Sequence, residues 1–577
     1  MAHLRGGFRA LSWENQLLYH QRSSWKCASC KITPPAAVRS ARRYATTPEG
    51  TSTAKPYYIT TPIFYVNAAP HVGHLYTMVI ADVLKRWRTL LGDSEAQLLT
   101  GTDEHGMKIQ QAAISAGIDT QAFCDRNCKT FKELAKAADM DYNYFIRTTE
   151  PAHKEAVQYF WEMLQHRGYI YTAKHEGWYS VSDETFYPQS QVHLSLDPAT
   201  GRKRMVSIES GKEVEWSSET NYHFRLSAFQ DRLLELYKTG FITPEHYAGD
   251  VVKSVSSGLS DLSISRPVER LTWGIPVPSD STQTIYVWLD ALVNYLTKAG
   301  YPFPPGEGSR GGWPADVHVV GKDIRTVLTE VRFHCVYWPA FLMALDLPIP
   351  RNVLVHGHWT MNREKMSKST GNVVNPFFAI DRFGVDTMRF FLSFQGGLAS
   401  DADYDNAHII RDYKKYLQQG IGNIAHRTIG CAKKNLRTYI VNAVTGKSPA
   451  TRTDQEYQKM LEELSTKVAE HMEKLNPRAA LQEIMAVIVQ TNKYFHNSEP
   501  WKNPEQNQRV LYNVAESMRI TGILLQPFMP TKAKETLDLF RVDPSRRGIS
   551  DARYASDSDY GEGIKKKILF EPLIVEN

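Results

Sequence analysis

Residues 57–99 read YYITTPIFYVNAAPHVGHLYTMVIADVLKRWRTLLGDSEAQLL. Residues 57–64 are rich in aromatic, Ile and Thr side chains, the composition of a strand. Pro70 and Gly73 interrupt it. Leu75, Met78, Val79, Val83, Leu84, Trp87, Leu90 and Leu91 then recur at helical spacing, and the pattern stops at Gly92. Residues 96–99 read as the next strand. Strand, helix and strand in so short a span form a βαβ unit. The stretch therefore predicts an α/β fold built on a Rossmann-like parallel sheet.

Outward from this unit the pattern changes. Residues 151–275 carry turn signals at Asp197-Pro198, Thr200-Gly201 and Ser210-Gly211 between short alternating runs, which predicts an inserted α+β domain. Strand-like runs return at 284–289, 317–320 and 353–356. From about residue 405 to 540 the spacing is almost all helical, with Pro477, Pro500, Pro527 and Pro530 where helices start or stop. The expected organisation is a sheet domain in two halves (56–150 and 276–358) split by the insert, a connecting region (359–404), an all-α domain (405–541) and a C-terminal tail (542–577) that is polar and loose over 542–563.

At 577 residues the chain is too long for one core. No stretch is apolar enough to span a bilayer. Residues 1–44 hold eight Lys and Arg and one acid, Glu14. Removing them from the chain's 68 Lys and Arg and 62 Asp and Glu leaves 60 basic against 61 acidic residues. A nucleic-acid partner would thus be held by local patches and not by overall charge. This first segment is similar to a mitochondrial presequence, with Arg42-Arg43-Tyr44 as the processing site, against the alternative of a disordered tail. Six cysteines are too few for a disulfide scaffold. Cys27 and Cys30 have half the spacing of a zinc site without a second pair. Cys124 and Cys128 lack a companion His, so all six are read as free thiols and no structural zinc is expected.

Two motifs carry chemistry. Pro70-His71-Val72-Gly73-His74 sits where strand turns into helix, a place that favours phosphate. Gly73 lets a ligand approach the backbone, and two imidazoles a turn apart can donate to phosphate oxygens as charge develops. Lys365-Met366-Ser367-Lys368-Ser369, followed by Gly371, places two lysines on a small polar loop able to close over a triphosphate. Alone, the first is an ordinary pair of surface or core histidines and the second an ordinary solvated loop.

Together, in this order and separation, they resemble the signatures of class I aminoacyl-tRNA synthetases. The resemblance implies that His71, His74, Lys365 and Lys368 stabilise the α-phosphate and the leaving pyrophosphate, with Mg²⁺ accompanying ATP. Further segments are similar to methionyl-tRNA synthetases over roughly residues 56–541. Residues 58–65 match the family's first strand, and Gly101-Thr102-Asp103-Glu104-His105-Gly106 matches the second strand end, where Asp103 would hold the substrate ammonium. Trp288-Leu289-Asp290-Ala291 and Tyr295 match the side-chain pocket wall. Ile63, Tyr65, Trp288, Ala291, Tyr295 and His334 are the implied methionine-binding set, an apolar and aromatic lining suited to a thioether. Gly321-Lys322-Asp323 and His356-Gly357-His358 match the ATP-binding edges, so Gly321, Asp323 and His356 join His71, Gly73, His74, Lys365, Ser367 and Lys368 as the implied ATP-binding set.

In the helical region Asn423, Arg427, Pro500 and Trp501 match positions that read the tRNA(Met) anticodon. Trp501 suits base stacking, and Asn423 and Arg427 suit hydrogen bonds to base edges. The connecting region would hold the lysine loop and the stem contact. The implied protein is a methionine-activating ligase of the mitochondrial matrix, a monomer, using ATP, methionine and tRNA(Met), with no membrane partner. Two alternatives stand beside it: a class I synthetase for another apolar amino acid, and a catalytically impaired relative kept for RNA binding.

Two departures from the family stand out. The stretch Gly177-Trp178-Tyr179-Ser180-Val181-Ser182-Asp183-Glu184 lacks the Cys pairs that many relatives use for zinc, which implies a metal-free insert. Residues 325–331 add about six positions between Ile324 and Arg332. Either they bulge out, or His334 is displaced and the methionine pocket is damaged.

Overall fold

Seven short parallel strands make the central sheet: Tyr58–Thr60 (β1), Phe64–Tyr65 (β2), Gln97–Asp103 (β3), Tyr144–Arg147 (β4), Ile242–Thr243 (β5), Val317–Gly321 (β6) and Asn352–His356 (β7). The order is β5-β7-β6-β1-β3, with β2 and β4 both pairing β3. The structure is a computed structural model describing residues 55–180, 185–187, 189–197, 201–208, 210–304, 311–322, 330–366, 372–432 and 436–573. The presequence-like segment with Cys27 and Cys30, Asp323, Ser367, Lys368 and most of the 325–331 stretch lie outside the described residues.

Strands β6 and β7 are almost continuously buried, as a parallel sheet covered on both faces requires. Strand β1 lies between β6 and β3, so the chain's winding reverses there. The carboxyl ends of flanking strands open a crevice at such a switch point. Helix α1 (Val72–Leu90) begins over that crevice and buries Leu75, Met78, Val79, Val83 and Leu84 against the sheet.

Residues 284–289, read above as a strand, are instead the end of strand Asp280–Ile285 and the start of a helix at Val287. The strand belongs to a separate three-stranded antiparallel sheet. Helix α3 (Val287–Thr297) is buried nearly all round, so no amphipathic stripe distinguished it from a buried strand. A four-stranded antiparallel sheet formed by Ile170–Ser180, Thr185–Tyr187, Glu215–Phe224 and Leu262–Ser263 stands apart from the central one. Other parts of the 151–275 segment pack on or join the central sheet layer. Helix α2 (Pro151–His166) packs on α3, and β5 joins the central sheet beside β7.

Helix α4 (Val385–Gln395) docks the sheet domain onto the helical one. The guanidinium of its buried Arg389 pairs with Asp82 of α1 at 2.6 Å and donates to the carbonyls of Ala138, Pro527 and Phe528. The helical domain includes α5 (Asn423–Ala432), α6 (Pro477–Ser498) and α7 (Gln508–Leu525).

The segment after residue 541, expected to be loose, is packed against these helices. Arg519 and Glu516, fully buried on α7, form an ion pair. Glu516 accepts from the Tyr560 hydroxyl and the Ala555 amide, and Arg519 donates to the Arg553 carbonyl. Val542, Ala552, Tyr560, Leu569 and Phe570 are buried there. An Arg–Glu pair three residues apart on a helix reads in sequence as a surface pair, which is why the docking site was invisible.

Candidate active site

The start of α1 is built by its two histidines. His71 caps the helix: its Nδ1 accepts the Gly73 amide at 3.0 Å. His74 Nδ1 accepts the His71 amide at 3.0 Å. Each neutral ring therefore carries its proton on Nε2. The ring centroids lie 3.9 Å apart. A Cβ on Gly73 would sit 2.8 Å from His71 Cε1, so only glycine lets the His71 ring fold back over the helix end. The pair thus presents two N–H donors beside the helix N-terminus, where the backbone dipole also favours an anion.

Both histidines line a cavity of roughly 500 Å³ at the carboxyl edge of the sheet. The same cavity is lined by Ile63, Tyr65, Gly73, Asp103, Trp288, Ala291, Tyr295, Gly321, His334 and His356, which two long sequence separations had kept apart. Asp103 ends β3, and Trp288, Ala291 and Tyr295 share one face of α3. The Tyr295 hydroxyl bonds His334 Nε2 at 2.6 Å, and both side chains line the cavity. A π turn over Phe333–Tyr337 carries His334. Pro339 has no amide to offer Cys335 four residues back, and the Tyr237 hydroxyl donates to that carbonyl instead, at 2.8 Å. Phe333 and Tyr337, which sequence reasoning missed, flank Trp288 with centroids at 4.6 and 5.7 Å.

At the opposite end, β6 and β7 deliver Gly321 and His356. His356 Nδ1 faces the Gly357 carbonyl at 2.8 Å, so it holds the proton, and Nε2 accepts from Thr77 of α1 at 2.9 Å. Thr77 was missed, although it lies one turn beyond His74 on the same face. Lys322 pairs with Asp401 at 2.9 Å, and Asp401 also accepts the His358 amide at 2.8 Å, tying the two strand ends together. Burial pushes His356 down from 6.5 to about 4. Burial, then the neighbouring His334, pushes His318 well below its ordinary range. The unfolded chain therefore takes up protons near pH 6.5 that the folded chain refuses, at His356 until about pH 4. Stability is full above pH 6.5 and falls as pH drops through that window, by up to about 1.4 kcal/mol per pH unit for each such histidine. His356→Gln is expected to make the fall in urea midpoint between pH 7 and 5 shallower.

Lys365 lies in the short strand Glu364–Lys365, paired with Trp359–Met361, and Met366 reaches the cavity. The hairpin thus brings the chain at Lys365 and Met366 to the cavity's edge.

A second cluster forms on the helical domain. The Arg427 guanidinium lies over the rings of Phe495 and Trp501, 4.6 and 4.8 Å from their centroids. Trp501 is 38% exposed, Asn423 is exposed one turn before Arg427, and Pro500 is buried. The arrangement offers a half-open aromatic face with a cation behind it, suited to an unstacked base. Among the described residues no three His, Cys, Asp or Glu are grouped to hold a metal ion, and Cys124, Cys128, Cys335 and Cys431 are free thiols.

Residues 57–429 match the family described as tRNA synthetases class I (M), and residues 445–560 match the family described as the anticodon binding domain of methionyl tRNA ligase. The chain is 50% identical over 579 aligned positions to the probable mitochondrial methionine–tRNA ligase of Neurospora crassa, covering 96% of this chain and 92% of that one. It is 40% identical to the human mitochondrial methionine–tRNA ligase, covering 86% of this chain and 85% of that one. The Mycobacterium tuberculosis methionyl-tRNA synthetase in complex with methionyl-adenylate superposes with a TM-score of 0.81 at 37% identity, over 89% of this chain and 99% of that one.

Proposed function

Since the chain belongs to the methionine-type class I tRNA synthetases, we propose that its central cavity forms methionyl-adenylate and that its helical domain reads the anticodon of tRNA(Met). The activity is that of a methionine–tRNA ligase. A methionine carboxylate oxygen attacks the α-phosphorus of ATP, and the bond to the β-phosphate oxygen breaks to release pyrophosphate. A hydroxyl of the tRNA 3′-terminal ribose then attacks the activated carbonyl and AMP leaves.

Each side chain has a part in this reading. The Nε2–H groups of His71 and His74 donate to the α-phosphate oxygens as their charge grows. Lys365, Ser367 and Lys368 close over the leaving pyrophosphate, and ATP brings its own Mg²⁺. Gly321, Asp323 and His356 form the nucleotide edge. Both His356 ring nitrogens are engaged within the protein, so it meets the nucleotide through its ring face. Asp103 pairs with the substrate ammonium, and Ile63, Tyr65, Trp288, Ala291, Tyr295 and His334 enclose the thioether. The observation that carries the reading is the convergence of the histidine pair, Asp103 and the aromatic wall on one cavity. Methionine-dependent ATP–pyrophosphate exchange tests it. Exchange with methionine and little with leucine or cysteine is expected; folded protein that exchanges with none overturns it.

For the helical domain, Trp501→Ala is expected to leave pyrophosphate exchange unchanged and to lower kcat/KM for tRNA aminoacylation by about 10- to 100-fold, the range of one lost stacked base. An equal fall in both assays would make Trp501 structural. The protein is mitochondrial by its relatives' designations, and the matrix, where a presequence would deliver it, is the proposed compartment. It is proposed to act as a monomer, which sedimentation at working concentration checks.

A further inference from the structure

Helix α3 has two working faces. Trp288, Ala291 and Tyr295, at i, i+3 and i+7, line the cavity. Asp290 projects from the other side and is fully buried. One carboxylate oxygen meets His105 Nδ1 at 2.7 Å, and the other meets His153 Nε2 of α2 at 2.9 Å. Burial alone would raise this carboxyl's pKa, but the two imidazoles hold it down at about 2, so it is a carboxylate throughout the working range. A buried carboxylate is tolerated only where its oxygens are matched by donors in fixed geometry.

His105 lies two residues beyond Asp103 in the turn that ends β3. The backbone of that turn is tied to Trp273, whose indole donates to the Glu104 carbonyl at 2.6 Å and whose carbonyl accepts the Gly106 amide at 3.2 Å, and two side chains of the turn are anchored as well. Glu104 is held within its own sheet, by Arg147 at 2.8 and 2.9 Å and by Thr102 at 2.7 Å. His105 alone of the two reaches across to α3. The His105–Asp290 bond therefore joins the segment bearing the ammonium partner to the helix bearing the side-chain wall. Nothing in this link touches Gly321, His356 or the histidine pair, which sit on β6, β7 and α1.

We propose that Asp290, through His105, is a positioning residue that sets the spacing between Asp103 and the Trp288–Tyr295 wall, and so the fit of the methionine between them. The inference rests on the reading of this cavity as the methionine site. Losing the bond lets the two halves of the amino-acid site drift, while the ATP half keeps its frame. A shift of an ångström in substrate placement is enough to matter.

Pyrophosphate exchange on the full chain, with methionine and ATP varied separately, tests this. The parent enzyme must first show methionine-dependent exchange; its failure would sink the reading of the cavity and not this link. Asp290→Asn is expected to raise KM for methionine about tenfold while KM for ATP stays within about twofold. His105→Leu cuts the same bond from the other side and must show the same split. The double variant must be no worse than Asp290→Asn alone, because that substitution already alters the contact with His105 together with the one with His153. Effects that multiply in the double variant, or KM values for methionine and ATP that rise together, overturn the proposal. If Asp290→Asn does not fold, His105→Leu decides alone: a raised KM for methionine at unchanged KM for ATP supports it, and an unchanged KM for methionine overturns it.

Discussion

His74→Asn is expected to lower the rate of methionyl-adenylate formation about 100- to 1,000-fold, equivalent to roughly 2.7–4 kcal/mol, the usual cost of one lost donor to a developing oxyanion. The choice of asparagine matters. His74 does two things: its Nδ1 accepts the His71 amide, and its Nε2 carries the proton offered to the phosphate. Asparagine keeps an acceptor near the Nδ1 position, so the helix start survives, but it has no group at Nε2. Melting temperature should therefore stay near that of the parent. KM for methionine should change little, because the lost contact forms as charge builds in the transition state. Single-turnover adenylate formation at saturating methionine and ATP is the measurement. An unchanged rate would show that this ring has no electrostatic part in the reaction.

Arg389→Met is expected to destabilise the protein by about 3–5 kcal/mol, the cost of breaking a buried ion pair by removing one partner. The arginine is 1% exposed, and its loss takes one partner from the Asp82 carboxylate and the donor from three carbonyls in two domains. Asp82 retains Arg86 at 2.8 Å and the Asp141 amide at 2.7 Å, which keeps the penalty from running higher. Because Pro527 and Phe528 belong to the helical side of the junction, the urea transition should also lose its single-step character. A loss below about 1 kcal/mol would mean that water or a neighbouring cation fills the gap.

The parts of this fold that could be read from sequence are those whose signal is local. The first strand, the break at Pro70 and Gly73, and the helical spacing from Leu75 sit side by side in the chain, and their meaning follows from periodicity. The histidine pair was legible for the same reason. Asp103, Trp288 and Tyr295 were recovered through resemblance and not through pattern, because a strand-end acid and two aromatics in apolar helices look like core in isolation. Thr77, Phe333 and Tyr337 escaped altogether: each acquires its role from a partner far away in sequence. The run at 284–289 was misread because burial on every side erases the period that separates helix from strand. The residues after 541 were misread because their anchors, Glu516 and Arg519, look like a solvated pair until the helix is seen to be enclosed.

Val72, between His71 and Gly73, is fully buried and donates its amide to the Val374 carbonyl. The signature is commonly written with a wildcard at this place, as though any letter would serve. In this protein the wildcard is an aliphatic core position, closed to charge and to bulk, and its amide fastens the helix start to the segment that follows the lysine loop. A search that accepts every residue there would admit chains whose histidines could not be held in place. The motif is four letters long, and none of them is blank.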